Sequence, residues 1–205
     1  MLVYIEFISR RPGVSVEAFR FAAGRGQTGW SAEHEDDVLL LNVARTFRLG
    51  PEPEYMAVWY TPAAGIERMG YWEQVFGSGE ADHLEETFRL AARIDKAGCY
   101  EPLLEPQQGR DGLYYAEYLD PVAGASRDDV AAFFGERLER HPGVVLNLLC
   151  DRLGTLGPEP RALAIWTVPG WEALDPVVRD FDSGADAPVR LVEGGLYRDL
   201  GAETL

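Results

Sequence analysis

The pattern of apolar and polar positions at the start of the chain predicts a strand followed by a helix. Residues 2–9 form a run rich in β-branched and aromatic side chains, and an Arg-Pro-Gly turn at 11–13 ends it. Ser15 is placed to cap a helix, and the apolar face of that helix is supplied by Val16, Phe19 and Ala23.

The residues that follow predict a hairpin, a helical region and a closing strand. Residues 38–47 and Tyr55–Thr61 have strand character, and the Gly-Pro-Glu-Pro sequence at 50–53 predicts a turn because proline cannot continue a strand ladder. Helical patterns cover 65–76 and 81–94, and a last strand is expected at 98–104. The predicted order is β-α-β-β-α-β, which is that of a ferredoxin-like unit.

This unit occurs twice in the sequence. The pentapeptide Leu-Gly-Pro-Glu-Pro at 49–53 returns at 156–160, an offset of 107 residues, and 13 of 29 positions are identical between 34–62 and 141–169. Unrelated segments of ordinary composition would share roughly one position in fifteen. Towards the end of each unit the offset falls from 107 to 97, so the first unit carries extra residues near 79–88.

One unit alone would leave an apolar surface uncovered. Its four-stranded antiparallel sheet has helices on one face, so the other face needs a second sheet. We therefore predict an α+β protein in which two tandem ferredoxin-like repeats, residues 1–104 and 113–205, form one pseudo-dimeric α+β barrel. The polar segment 105–112, which contains glycine and proline, is the predicted linker.

Composition narrows the range of partners and cofactors. The net charge of −15 repels phosphate backbones and anionic lipids, so neither nucleic acid nor a membrane is an expected partner. Cys99 and Cys150 lie in apolar surroundings without the spacing of a metal site, and we predict no metal and no other cofactor. No leader-like or membrane-spanning apolar run is present in the sequence, and we expect a cytoplasmic protein.

The predicted architecture resembles the dimeric α+β-barrel superfamily over nearly the whole chain. That superfamily includes antibiotic-biosynthesis monooxygenases, EthD-like proteins and heme-degrading monooxygenases. The sequence at 10–20, where a strand passes through Arg-Pro-Gly into a helix, is similar to the opening of EthD-like domains. The resemblance implies a small-molecule protein. Heme is not carried over, because the asparagine on an early strand of the heme-degrading members has no counterpart at 3–9.

His34 and Glu6 are the candidate catalytic residues. His34 has an aligned histidine 107 residues later, and histidine is the side chain best suited to proton transfer near neutral pH. Glu6 aligns with Glu117 in the first strand of each repeat, and a carboxylate in an apolar cavity could act as an acid or base. Both have structural alternatives, since the histidines could close helix ends and the glutamates could pair with Arg45 or Arg152.

The candidate ligand-binding residues are mainly aromatic and lie in the first repeat: Tyr4, Arg45, Trp59, Tyr60, Trp72 and Tyr100. Tyr60 and Trp72 have no aromatic counterpart in the second repeat, so a pocket retained in one repeat is expected in the first. Trp59 and Tyr100 do have aromatic counterparts, which is more typical of a core. Arg45 could hold a substrate carboxylate or lie exposed at a strand end.

Two kinds of function remain open at this point. The first is a cofactor-independent monooxygenase, cyclase or isomerase acting on a small aromatic compound, with His34 or Glu6 as acid or base. The second is a non-catalytic barrel that binds a small ligand or serves in assembly, where the repeated residues maintain the fold. In either case one chain would complete its own barrel as a monomeric pseudo-dimer, and further association into a homodimer is left open.

Overall fold

The computed structural model describes residues 1–46, 54–62, 64–80, 82–109, 112–182 and 187–200, without the side chains of residues 25, 26, 84, 85 and 182. The turn predicted at 50–53 lies outside these residues. The first half contains seven elements: β1 (Leu2–Arg10), α1 (Val16–Glu33), β2 (Val38–Arg45), β3 (Tyr55–Thr61), α2 (Arg68–Ser78), α3 (Asp82–Ala91) and β4 (Ala92–Pro102).

The second half repeats this order with one helix in place of α2 and α3. Its elements are β5 (Leu113–Pro121), α4 (Arg127–Arg140), β6 (Val145–Arg152), β7 (Ala162–Val168), α5 (Trp171–Asp182) and β8 (Val189–Asp199). The extra residues predicted near 79–88 therefore coincide largely with α3. Among the described residues, no helix is long and apolar enough to cross a membrane.

Both first helices begin at the serine that the sequence indicates. Ser15 accepts a hydrogen bond from the backbone N–H of Ala18, and Ser126 accepts one from Asp129. The Asp129 carboxylate accepts a hydrogen bond back from the Ser126 N–H, which completes a capping box. Since the caps satisfy free N–H groups of the first helical turn, the sequence sets where each helix starts.

The last strand of the first half begins earlier than predicted. A helix was expected up to residue 94 and a strand from 98, whereas α3 ends at Ala91 and β4 begins at Ala92. The residues in question pair with β1, as at Ile8 and Ile94 and at Arg10 and Ala92. Pairing with a neighbouring strand therefore overrides the local helical pattern, because each added ladder position satisfies backbone groups that would otherwise need water.

The eight strands close into one barrel in the order β1-β3-β2-β8-β5-β7-β6-β4. Within each half the first strand lies between the third and the fourth, as in a ferredoxin-like sheet. Two short antiparallel seams join the halves, one between β2 and β8 and one between β4 and β6. The predicted fold is confirmed: two tandem ferredoxin-like units form one α+β barrel.

The face of β1 and β5 that enters the barrel is the apolar one. Val3, Ile5 and Phe7 lie in the barrel core together with Tyr114, Ala116 and Tyr118. Tyr4 and Glu6, and likewise Tyr115 and Glu117, therefore point outward towards the helices, because side chains alternate along a strand. The barrel interior and the layer under the helices are thus two separate environments for functional side chains.

Two glycines make room for tyrosine rings inside the barrel. A Cβ atom on Gly98 would lie 2.7 Å from the Tyr100 ring and 3.0 Å from the Cα of Gly157 in the second hairpin. Gly195 and Tyr197 repeat the arrangement in the second half, at 2.6 Å. The glycines are therefore required by close packing of ring and backbone.

We expect Gly98→Ala to lower the free energy of unfolding by about 1–3 kcal/mol, because the added methyl overpacks the ring and the hairpin. Gly135→Ala in α4 is the matched control. Its Cβ would meet nothing within 4 Å, so it should raise stability by about 0.5–1 kcal/mol through helix propensity. Urea denaturation of both variants measures the difference, and equal stability of the two would contradict the packing argument.

Candidate functional site

Four of the predicted site residues meet in the layer between the first-half strands and helices α1 and α2. The rings of Tyr4 and Trp72 lie 5.2 Å apart, and Trp59 belongs to the same cluster. The Trp59 indole N–H donates to the Glu6 carboxylate at 3.3 Å. Trp59 and Trp72 are each 6% exposed. These residues are brought together, but as a packed layer.

His34 closes the C-terminal end of α1. Its backbone N–H donates to the Trp30 carbonyl at 2.9 Å, and its Nδ1 atom lies 3.0 Å from the same oxygen. The imidazole stacks on the Trp30 ring at 3.8 Å. His141 holds the equivalent position at the end of α4, with its Nε2 atom 3.1 Å from Asp180. These contacts correspond to the helix-closing alternative for both histidines.

The glutamate of the second half forms a buried ion pair. Glu117 accepts two hydrogen bonds from Arg137 of α4, at 2.7 and 2.9 Å, and a third from the Trp166 indole at 2.9 Å. Both charged side chains have no solvent exposure. The predicted pairing of Glu117 with Arg45 or Arg152 was therefore wrong, because the partner of Glu117 is Arg137. Those arginines lie at strand ends, where they face glutamates of their own hairpins.

The equivalent place in the first half differs. Trp30 stands where the second half has Arg137, and the Glu6 carboxylate lies 3.5 Å from the side-chain amide of Gln27. Glu6 is also only partly buried. The two glutamates therefore share an indole donor, Trp59 or Trp166, but Glu117 also pairs with Arg137, where the first half has the uncharged Trp30.

Asp37 is the charged centre of the first-half layer, and the sequence reasoning did not identify it. Its fully buried carboxylate accepts hydrogen bonds from the indoles of Trp30 and Trp72 at 3.0 and 2.8 Å and from Thr61 at 3.0 Å. Arg68 adds two more at 3.0 Å each. Burial alone would raise the pKa of Asp37, but the hydrogen bonds from Arg68, Trp72 and Trp30 outweigh it and hold the pKa below its usual value.

The Asp37 cluster accounts for two tryptophans of the first half, Trp30 and Trp72, that have no counterparts in the second. Both indole N–H groups donate to the Asp37 carboxylate, so these hydrogen bonds hold the two aromatic side chains in place within the packed layer. The sequence does contain a signal for this cluster: Trp30 and Trp72 have no counterparts in the second half, and an aspartate, Asp37, directly precedes β2. With all its acceptor sites used inside the protein, the cluster offers little for a ligand.

A cavity of 180 Å³ lies at one end of the barrel. It is lined by interior side chains of both halves, by the second hairpin and by charged side chains of β4 and β8: Phe7, Lys96, Tyr100, Tyr118, Pro158, Glu159, Pro160, Ala162, Leu163 and Glu193. Of the predicted site residues, Tyr100 is here. Tyr60 and Arg45 are not among its lining residues; the Tyr60 hydroxyl donates to Glu105 at 3.4 Å.

The two cavity tyrosines are neutral phenols. Burial raises the pKa of both Tyr100 and Tyr118 well above the ordinary value for tyrosine. The Tyr118 and Tyr197 hydroxyls form a buried hydrogen bond of 2.8 Å across β5 and β8. The inner part of the cavity is therefore aromatic and uncharged, whereas charge is confined to Lys96, Glu159 and Glu193.

These features define a single-chain α+β barrel with a small cavity at one end. Solved structures share this α+β-barrel fold, as comparison with them shows. No known family model matches the sequence, and no curated protein matches it.

Several solved structures match over nearly the whole chain. A heme-binding protein from Thermus thermophilus has a TM-score of 0.62 at 11% identity, covering 97% of this chain and 90% of that one. A protein from Lactobacillus acidophilus, provisionally described as a monooxygenase, has a TM-score of 0.59 at 13% identity, covering 100% and 98%. A mutant chlorite dismutase from Candidatus Nitrospira defluvii has a TM-score of 0.58 at 8% identity, covering 97% and 91%. At these identities the similarity establishes the fold alone.

The residues described here do not fit a heme. Heme iron is held by an axial histidine, cysteine, methionine or tyrosine. The three histidines of the chain lie at helix ends or on the surface, with His83 facing Glu33 at 3.0 Å. The layer beneath the second-half helices is filled by a buried apolar cluster and by the Arg137 ion pair. The 180 Å³ cavity is smaller than the roughly 300–1,000 Å³ of usual cofactor pockets. An open groove of 410 Å³ beside α4 is larger, but its lining contains no histidine, cysteine, methionine or tyrosine to bind the iron.

Proposed function

We propose that this protein binds a small, single-ring aromatic compound in the cavity at the barrel end. The observation that carries the proposal is the lining of that cavity by Phe7, Tyr100 and Tyr118 around 180 Å³. An apolar cavity of roughly 150 Å³ is large enough for benzene. Ring-to-ring contacts with these side chains would add to the free energy of burying the ligand.

The complete barrel within one chain supports binding by a monomer. Phe7 comes from the first half and Tyr118 from the second, so one folded chain supplies both walls. We also propose that the two halves arose by duplication of one unit, which the repeated pentapeptide at 49–53 and 156–160 supports. A homodimer is then not needed to form the site.

A binding role has more support than a catalytic one. Proton transfer needs an acid or base within hydrogen-bonding distance of the reacting atom. His34 and Glu6 lie in the helix-covered layer and are not among the residues that line the cavity. A cofactor-independent monooxygenase, cyclase or isomerase reaction in this cavity would instead have to use Lys96, Glu159 or Glu193 as its charged groups.

Filling the cavity should abolish binding. We expect Leu163→Phe to weaken the binding of phenol and benzyl alcohol at least tenfold, because the larger ring occupies the space left for the ligand. Met56→Phe is the matched control. Met56 pairs with Phe7 as Leu163 pairs with Tyr118, is equally buried, and does not line the cavity. Isothermal titration calorimetry on both variants gives the affinities.

Thermal unfolding shows whether each variant is folded at the titration temperature. The proposal predicts normal affinity in the Met56 variant and loss in the Leu163 variant. If neither compound binds the wild-type protein, or if both variants lose affinity equally, the cavity is not the binding site and the assembly role becomes the better hypothesis.

A further inference from the structure

The exposed side chains of Lys96 and Glu193 form the mouth of the cavity, and there the two halves carry opposite charges at equivalent places. Lys96 pairs with Phe7 between β4 and β1, and Glu193 pairs with Tyr118 between β8 and β5. The two positions are 97 residues apart, the same offset that relates Tyr100 and Tyr197. Both side chains line the cavity, and both are exposed to solvent. The pseudo-symmetry of the barrel is therefore broken in charge at this point.

We propose that the cavity mouth recognises a zwitterionic aromatic compound, whose ring enters the barrel while its carboxylate faces Lys96 and its ammonium group faces Glu193. This inference rests on the proposed function and specifies its ligand class. A small aromatic amino acid has this chemistry. The charged groups stay at the solvent-exposed mouth, where the cost of removing them from water is small.

The charges of the mouth support this assignment. Neither Lys96 nor Glu193 takes part in an ion pair with the residues that the structure describes, whereas Glu159 pairs with Arg152 at 2.8 Å. The mouth therefore offers one cation and one anion. A ligand with a carboxylate alone would gain from Lys96 but be repelled by Glu193 and by the net charge of −15. A ligand with both charges satisfies both side chains.

Four related probes separate the contributions of ring, amine and carboxylate. These are L-phenylalanine, 3-phenylpropanoate, 2-phenylethylamine and the neutral 3-phenylpropanol, titrated calorimetrically into the full chain at low ionic strength. We expect phenylalanine to bind about four- to twenty-five-fold more tightly than the neutral alcohol, since an exposed ion pair contributes roughly two- to fivefold and two are formed.

Variants assign each charge to its partner. Lys96→Gln should weaken phenylalanine and phenylpropanoate about two- to fivefold and leave phenylethylamine unweakened, whereas Glu193→Gln should weaken phenylalanine and phenylethylamine and spare phenylpropanoate. The double exchange, Lys96→Glu with Glu193→Lys, should restore the preference for phenylalanine with the ligand turned around. All these substitutions are at exposed positions, so folding should be unaffected.

Two negative results have different meanings. If the alcohol binds the wild-type chain as tightly as phenylalanine, and the variants do not change that ratio, the zwitterion inference is overturned while the aromatic cavity stands. If none of the four probes binds but phenol or benzyl alcohol does, the inference alone is overturned. If phenol and benzyl alcohol fail as well, the proposed function fails and the inference fails with it.

Discussion

Replacing Arg137 with methionine should lower the free energy of unfolding by about 3–5 kcal/mol, which is the usual cost of leaving one member of a buried ion pair without its partner. The Glu117 carboxylate would remain without solvent exposure. Among the residues that the structure describes, it would keep only the indole of Trp166 as a hydrogen-bond donor. Arg137 is also surrounded by aromatic rings, with its guanidinium 5.0–5.8 Å from four ring centroids, and those contacts would be lost as well.

Arg140→Met is the control for this substitution. Arg140 lies on the same helix and pairs with Asp180, but its side chain is 46% exposed, so its loss should cost less than about 1 kcal/mol. A second variant, Glu117→Gln combined with Arg137→Met, removes both charges and should regain part of the lost stability. Urea denaturation measures all three. A cost below about 1 kcal/mol for Arg137→Met would show that water or a neighbouring group compensates the glutamate.

Replacing Asp37 with alanine should have a comparable effect, about 3–5 kcal/mol, because it leaves Arg68 and two indole N–H groups in the first-half layer without their acceptor. The neighbouring Asp36→Ala is the control. The Asp36 side chain is 68% exposed and lies 3.9 Å from Arg68, so little stability should depend on it. Chemical denaturation at neutral pH compares the two variants, and equal losses of unfolding free energy would contradict the role given to the buried Asp37 cluster.

The same residue should make the first half sensitive to acid. The folded-state pKa of Asp37 is lowered, so its charge stabilises the fold above the unfolded pKa of about 3.9, and this stabilisation is lost as the pH falls through the folded value. Asp37→Asn, which keeps the shape but cannot titrate, should show a weaker loss of stability with acid than the wild type. Urea midpoints measured between about pH 2 and pH 7 give both curves; parallel curves would exclude Asp37 as the titrating group.

The fold could be predicted because several independent signals agreed. The repeated pentapeptide indicated two equal units, the capping serines indicated the helix starts, and the apolar alternation of Val3, Ile5 and Phe7 indicated a strand with one buried face. The start of β4 was missed because residues 92–97 are mostly exposed and carry no strand pattern of their own. Their conformation comes from pairing with β1, which is a long-range contact.

The site could be predicted only in part, for a similar reason. Glu117 was identified as a carboxylate that needs an arginine, but Arg137 lies on a helix whose rotation about its axis cannot be read from the sequence. The cavity at the barrel end combines Phe7 with Tyr118, which become neighbours of one space only when the eight strands close. Tyr100 lines this cavity, although its counterpart Tyr197 in the second repeat was more typical of a core position.

Lys96 is the sole lysine of the chain, and it stands at the cavity mouth. Within these 205 residues, an amine-reactive fluorophore therefore has one lysine side chain to react with, without any mutagenesis. A dye coupled there would sit beside the entrance through which a ligand must pass. Because acylation removes the Lys96 charge that we propose faces a ligand carboxylate, the emission of the dye would report the entry of neutral aromatic compounds into the barrel.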